Sequence, residues 1–288
     1  MSKVWFVTGS SRGLGRRVVE AALARGDKVA ATARDTESIE DLVAAHGDAV
    51  LPLQLDVTHK ASAFDAVNRA KEHFGRLDVI VNNAGYAQIG AIEELTEQEL
   101  RDQFETNVFG ALWVIQAALP HLRGQGFGHI VQLSSVAGLI AMPLGGAYQA
   151  SKWALEALNE TLAEEVTGFG VKVTLVEPAG FATRAGENPD PLANGHLAKT
   201  KPAYDALRQR LAGALGQQPA GDPTAAAQAL LKIVDSDEPP LRVLFGQGFY
   251  PLIQQVYADR LETWADGQEL SVEAHGDLAR ATATHSRR

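Results

Sequence analysis

The sequence has no cysteine among its 288 residues. Disulfides, thiolate metal sites and a cysteine nucleophile are thereby excluded, while the redox compartment stays open. It also lacks a basic excess: 26 lysines and arginines against 35 acidic residues leave a net charge of −9, opposite in sign to what a nucleic-acid binder carries. None of the eight histidines stands at H-x-x-x-H or H-E-x-x-H spacing, so no metal is expected, and His121, His129 and His196 read as loop or surface residues. No apolar run reaches the roughly 20 residues of a membrane span, and the opening KVWFVTG is interrupted by glycine too soon for a signal segment. These readings predict no membrane partner and a cytoplasmic location.

What is present suits a large buried core. Hydrophobic residues make up 45% of the chain, and the mean hydropathy is −0.09, enough for one large α/β domain or two small ones. Short β-branched runs alternate with longer amphipathic stretches. Strands are predicted at 4–7, 28–33, 50–56, 77–85, 128–135 and 171–178, with helices at 14–26, 36–46, 61–74, 96–122 and 148–167 between them. The start of the long helix, T-E-Q-E at 96–99, has the capping-box pattern. This βαβα order predicts a Rossmann-type, doubly wound parallel sheet of about seven strands with helices on both faces. Its ligands would sit beyond the carboxyl ends of the strands.

The unusual polar clusters all fall at such ends: Thr8–Gly15, Arg34, Asp56, Asn82–Gly85, Ser134–Ser135 and Pro178–Thr183. A segment rich in Pro, Gly and Asn at 185–218, with a helix expected at 204–215, reads as a substrate-loop excursion. A helix at 223–235, a last strand at 241–246 and a helix at 248–264 complete one catalytic domain over 1–264, and 265–288 reads as a polar, frayed tail.

Two stretches carry chemistry. T-G-S-S-R-G-L-G at 8–15 follows a strand and opens a helix. Gly9 permits the tight turn, Gly13 lets a pyrophosphate approach the backbone, Gly15 lets helix and strand pack, and the helix N-terminus faces the anion. The lysine of a P-loop is absent, which argues against ATP or GTP hydrolysis. At the end of the second strand an NAD site would place an acid, but Ala33 stands there, with Arg34 next and Arg12 inside the glycine loop. Two guanidiniums suit a 2′-phosphate and favour NADP over NAD, although Asp35 keeps NAD open.

The second stretch, SSVAGLIAMPLGGAYQASK at 134–152, sets Tyr148 and Lys152 four apart, on one face of a helix. An ammonium beside a phenol favours the phenolate, so Tyr148 is expected to titrate below the ~10 of a free tyrosine and to act as acid/base on an alcohol or carbonyl oxygen. Alone, this spacing is no more than many buried helices show.

Taken together, TGSSRGLG, Asn82-Asn83-Ala84-Gly85, Asn107, Ser135 and Tyr148-x-x-x-Lys152 resemble the short-chain dehydrogenase/reductase family in its compact single-domain branch. The resemblance is strong over residues 3–183 and makes Ser135, not Ser134, the catalytic serine. It implies Tyr148 as acid/base and Lys152 as the group that lowers its pKa and binds the nicotinamide ribose. Ser135 would orient the carbonyl, and Asn107 would support a proton relay through water. It further implies coenzyme contacts from Gly9, Ser11, Arg12, Gly13, Leu14, Gly15, Arg34, Asp56, Val57, Asn83, Ala84, Gly85, Pro178, Gly180, Phe181 and Thr183. One departure is Pro178-Ala179-Gly180, where the family usually has Pro-Gly; a positive φ at Ala179 would be strained.

Around the site stand Tyr86, Ile89, Leu139, Ile140, Met142, Pro143, Leu144 and Phe181, a largely apolar wall suited to a hydrophobic ketone, aldehyde or alcohol. The lack of a basic patch there argues against an acyl-carrier-protein substrate. Two other readings stay open, an NADP(H)-binding regulator without turnover and a related-fold epimerase. Retention of all four catalytic positions argues against the first, and the G-x-x-x-G-x-G spacing against the second. The resemblance also implies a homodimer or homotetramer, built on the helices beginning near Thr96 and Tyr148, whose outer faces carry Leu112, Trp113, Trp153 and Leu158.

Overall fold

The computed structural model describes residues 2–182, 195–216 and 220–276. Thr183, the first part of the 185–218 excursion and the end of the tail lie outside the described residues. The apolar runs form parallel strands β1 (Val4–Val7), β2 (Lys28–Ala33), β3 (Val50–Gln54), β4 (Val79–Asn82), β6 (Gly128–Leu133), β7 (Val171–Pro178) and β9 (Arg242–Phe245). They lie in the order β3-β2-β1-β4-β6-β7-β9, every neighbouring pair parallel. The chain therefore winds outward from β1 to β3, returns to the other side of β1 with β4, and winds outward again. The reversal leaves a crevice between the ends of β1 and β4.

Two apolar layers enclose the sheet. One joins it to α1 (Gly13–Ala24), α2 (Glu40–His46) and α8 (Pro223–Asp235) through Val18, Val19, Leu42, Leu230 and Leu231. The other joins it to α3 (Lys60–Phe74), α5 (Gly110–Gln125) and α6 (Gly146–Val166) through Val67, Val114, Leu122, Leu162 and Val166. Trp5 and Phe6, adjacent on β1, point into opposite layers and are wholly buried. Each large apolar side chain so buried stabilises the fold by about 1.5–3 kcal/mol.

The long helix expected over 96–122 is interrupted. Thr96 and Glu99 form the expected reciprocal cap of α4 (Glu97–Phe104), with Glu99 N–H donating to Thr96 Oγ1 at 3.2 Å. A π-helical turn then occupies Glu105–Phe109 before α5 begins. Two short strands unforeseen in the sequence, β5 (Gln88–Ile89) and β8 (His196–Leu197), pair in parallel and tie the excursion to the tip after β4. Each is only two residues long, below what alternation can reveal. The excursion continues through α7 (Asp205–Gly216), where a helix was expected.

The chain divides into two compact units, 1–247 and 248–288. Within the second unit, α9 (Phe249–Asp266) is followed by α10 (Gln268–His275), where a frayed tail was expected. Glu, Leu and Ala are good helix formers, so a polar composition does not by itself prevent a helix. No helix of the described residues is long and apolar enough to cross a membrane.

His129 is a further correction. It lies in the middle of the sheet on β6, 4% exposed, with Nε2 2.9 Å from Thr174 Oγ1. His121 is half-buried on α5 beside Asn68, and His196 is exposed on β8. Burial, with the nearby charges of Lys172 and Lys3, lowers the pKa of His129 from 6.5 to about 4. Between those values the unfolded chain binds a proton that the native strand refuses. The stability is therefore complete above pH 6.5 and is lost progressively as pH falls to about 4. His129→Gln is expected to flatten the fall of melting temperature between pH 7 and 4; an unchanged slope would place the acid sensitivity elsewhere.

Candidate active site

The glycine loop is shaped by the tip of β4 as much as by its own glycines. Gly9 and Gly13 take φ of +70° and +61°, the left-handed region that costs a glycine nothing. A Cβ on Gly15 would stand 2.3 Å from Asn83 Nδ2 and 2.5 Å from the Gly9 carbonyl. Asn83 fills that space, its amide donating to the carbonyls of Thr8 at 2.8 Å and Gly9 at 3.1 Å. Thr8 Oγ1 in turn accepts the backbone N–H groups of Asn83 and Ala84, both at 2.9 Å. The side chain of Asn83, expected to line the coenzyme, is thus committed to the loop. Leu14 sends its side chain into the core, leaving its backbone toward the loop, while Ser11 and Arg12 are exposed.

At the end of β2, Arg34 is exposed, and neither Arg12 nor Arg34 forms an ion pair among the described residues. Asp35, the residue that kept NAD open, caps the short turn Thr36–Ile39 by accepting the Glu37 N–H at 3.0 Å. Asp56 accepts the N–H and hydroxyl of Thr58 at 3.0 and 2.8 Å. Burial pushes its pKa up, but those bonds and the charges of His59 and Arg34 outweigh it and hold the carboxylate below its ordinary value. Val57 is 7% exposed behind it.

Ser135, Tyr148, Lys152 and Asn107 converge from three places, the segment after β6, α6 and the π turn. The two serines after β6 diverge: Ser134 donates to Glu156, whereas Ser135 donates to the Pro178 carbonyl at 3.3 Å and accepts the Ala137 N–H at 3.1 Å. Burial raises the pKa of Tyr148, and its hydrogen bonding with Ser135 opposes the rise. The expected lowering of Tyr148 is therefore not found. Lys152 Nζ donates to the Leu133 carbonyl at 2.8 Å and lies 5.7 Å from the centre of the phenol ring, not at its oxygen. Burial draws Lys152 down from 10.5 to about 8, and the charge of Glu156 acts against it.

Asn107 sits in the π turn, 1% exposed. One extra residue in a turn re-aims the side chains that follow, a common device at functional sites. The Asn107 amide donates to the Tyr86 carbonyl and to Ser151 Oγ, both at 3.0 Å, and its oxygen accepts the Tyr86 N–H at 3.1 Å. A Cβ on Gly85 would lie 3.0 Å from that oxygen, which explains the glycine.

After β7, Ala179 is unstrained. Its N–H donates to the Phe245 carbonyl at 2.8 Å, continuing the pairing with β9, and among the described residues the one non-glycine at positive φ is Leu144, at 65°. The Gly180 carbonyl accepts the Gly221 N–H at 2.9 Å. Phe181, partly buried, packs its ring on Gly221 and the core. Of the apolar wall, Leu139, Ile140 and Leu144 are buried, and Tyr86 stacks on His196 at 4.5 Å. A neighbouring cavity of about 180 Å³ is lined by Ile89, Leu144, Leu197, Ala198, Arg208 and Ala212. Arg208 is no free cation, since both oxygens of the buried Glu94 accept from it at 2.8 Å.

Sequence reasoning gave Thr8 no role beyond its place in the glycine motif, and it missed Glu94 with Arg208 and the cluster of Glu156, Glu177 and Arg242. Glu156 alone had a signal, being four residues beyond Lys152. The rest fits a dinucleotide. Glycines keep the loop open, the buried Lys152 ammonium has a single hydrogen-bond partner among the described residues, and two unpaired guanidiniums stand at the adenosine end.

Comparisons with known proteins agree. The family described as short chain dehydrogenase matches residues 3–191. Oxidoreductase BOA17 of Botryotinia fuckeliana is 42% identical over 85% of this chain and 89% of its own length. A 3-ketodihydrosphingosine reductase of Bacteroides thetaiotaomicron is 33% identical over 91% and 93%. A short-chain dehydrogenase from Streptomyces avermitilis superposes with a TM-score of 0.86 at 40% identity, covering 95% of this chain and 98% of that one. An alcohol dehydrogenase from Thermococcus sibiricus, solved with 5-hydroxy-NADP, has a TM-score of 0.70 at 26% identity over 85% and 96%. A Burkholderia phymatum short chain dehydrogenase/reductase, solved with NAD, has a TM-score of 0.78 at 26% identity over 91% and 95%.

The crowding at Gly15 yields a prediction. Gly15→Ala must displace Asn83 and is expected to cost about 1–3 kcal/mol, read as a lowered urea midpoint. An unchanged midpoint would mean that Asn83 does not hold the loop.

Proposed function

The chain belongs to the short chain dehydrogenase family and is an oxidoreductase, and we propose that it is an NADP-dependent carbonyl reductase or secondary-alcohol dehydrogenase acting on a hydrophobic ketone, aldehyde or alcohol. The convergence of Ser135, Tyr148 and Lys152 beside the glycine loop carries this reading. A nicotinamide coenzyme, when bound, supplies or accepts the hydride. Tyr148 passes a proton to or from the substrate oxygen, and Ser135 fixes that oxygen by hydrogen bonding. Lys152 holds positive charge near the phenol and offers its remaining N–H donors to the ribose. Asn107 keeps the Tyr86 backbone and Ser151 in place around them.

Arg12 and Arg34 support NADP, because Asp35, the acid nearest them in sequence, is engaged as a helix cap. NADP in turn favours the reductive direction. The apolar cavity lining and the relative named as a ketone reductase support a hydrophobic substrate. Leu100, Phe109, Trp153 and Leu158, on α4 to α6, remain 38–41% exposed. They support assembly into a homodimer or homotetramer.

Steady-state turnover of hydrophobic ketones and aldehydes is expected with NADPH in preference to NADH, and Tyr148→Phe should lower it by about 10²–10⁴-fold. Arg34→Ala should weaken NADPH about tenfold or more while sparing NADH, as loss of a charged hydrogen bond predicts. Tight NADPH binding without turnover in either direction would instead favour the regulator. Light scattering should return a multiple of the 30.7 kDa chain; a concentration-independent monomer would end the assembly reading.

A further inference from the structure

Glu156 stands one helical turn beyond Lys152 on α6, on the same face. Its carboxylate belongs to a residue 6% exposed, accepts the Ser134 hydroxyl and pairs with Arg242 of β9. Arg242 reaches Glu177 at the end of β7 at 3.1 Å and Glu160 of α6 at 2.8 Å. These partners adjoin the reactive groups. Ser134 precedes Ser135, and Glu177 precedes Pro178, whose carbonyl takes the Ser135 hydroxyl.

From this placement we propose that Glu156 is a positioning residue for the site, the buried counter-charge that keeps Lys152 an ammonium and fixes the strand end bearing Ser135. The proposal rests on the reading of Lys152 given above. A buried ammonium without a nearby anion tends to release its proton. Among the acids, Glu156 is the one whose charge holds Lys152 up against its burial. No ion pair within 4 Å joins them among the described residues, so the influence passes as a field through the interior. The groups facing Glu156 are Lys152 and Glu160 on its own helix, Ser134 after β6, Glu177 on β7 and Arg242 on β9. Glu177, lifted by burial and by Glu156 to about 7, supplies little negative charge below neutrality. Burial raises the pKa of Glu156, and the Ser134 hydroxyl and the Arg242 charge act against that rise and favour the carboxylate. Bracing of β7 and β9 against α6 would account for the same contacts, and the two roles separate by pH.

The experiment is titration of the full-length chain with NADPH, by coenzyme fluorescence, from pH 6 to 10, with a melting temperature at each pH. Binding should weaken on the alkaline side as Lys152 deprotonates. Glu156→Gln should move that limb to lower pH by about one unit, so that affinity well above the limb falls about tenfold, and Glu156→Asp should restore it. A brace alone would weaken binding equally at every pH, and an unmoved limb in a folded Glu156→Gln protein overturns the proposal. Should that variant not fold, Ser134→Ala, which strips a hydrogen bond from the carboxylate, should move the limb the same way by less; no movement there is equally fatal. Lys152→Met is the control. A limb that survives in it defeats the Lys152 reading itself, whereas a limb lost in it but unmoved in Glu156→Gln defeats the Glu156 proposal alone.

Discussion

The Asn83 amide, donating to the carbonyls of Thr8 and Gly9 at 2.8 and 3.1 Å, joins the tip of β4 to the glycine loop after β1. The rest of the site depends on this join. It braces one wall of the crevice where the winding of the sheet reverses, and it leaves room only for hydrogen at Gly15. Thr8 completes it by accepting two backbone N–H groups of the same tip. With both loops held, the start of α1 and the end of β2 present Arg12 and Arg34 to solvent at one edge. The ends of β6 and β7 present Ser135 and Pro178 at the other.

On that second side the controlling quantity is buried charge. Lys152 is 6% exposed, and burial draws its ammonium down to about 8. Such a group persists only where polar partners compensate it. Leu133 provides a carbonyl, Glu156 a field, and Arg242 prevents the two buried carboxylates from repelling each other without relief. The phenol beside it is raised by burial as well. Tyr148 and Lys152 therefore depend on polar partners that meet them in the interior, Ser135 for the phenol and Leu133 and Glu156 for the ammonium.

The side that carries the segment from 195 onward is built differently. Glu94 bonds to Arg208 of α7 and accepts the N–H groups of Ala91 and Lys201, which clamps the segment from 195 onward to the turn at 91–94. Lys201 and Tyr204 add exposed contacts to Glu93. Leu144 accepts its unfavourable φ of 65° where its carbonyl takes the Gly90 N–H at 2.8 Å. Such backbone strain is sustained by surrounding packing and tends to gather around binding sites.

Period and punctuation in the sequence were sufficient for the seven-stranded parallel sheet, its flanking helices and the cap at Thr96, because these depend on local pattern and burial. The spacing of TGSSRGLG, NNAG, Ser135 and Tyr148-x-x-x-Lys152 was sufficient for the family, which matches over residues 3–191, because a motif combination is read along the chain. Only the tertiary structure could decide which neighbours each polar group meets. It sent His129 into the sheet, turned the Asn83 side chain to the loop, made Asp35 a cap and opened a π turn at Asn107. It also brought Glu177 and Arg242 from separate strands to Glu156. Charge and burial are sums over surroundings in space, and residues 65 or 86 positions apart leave no periodic trace of their meeting along the chain.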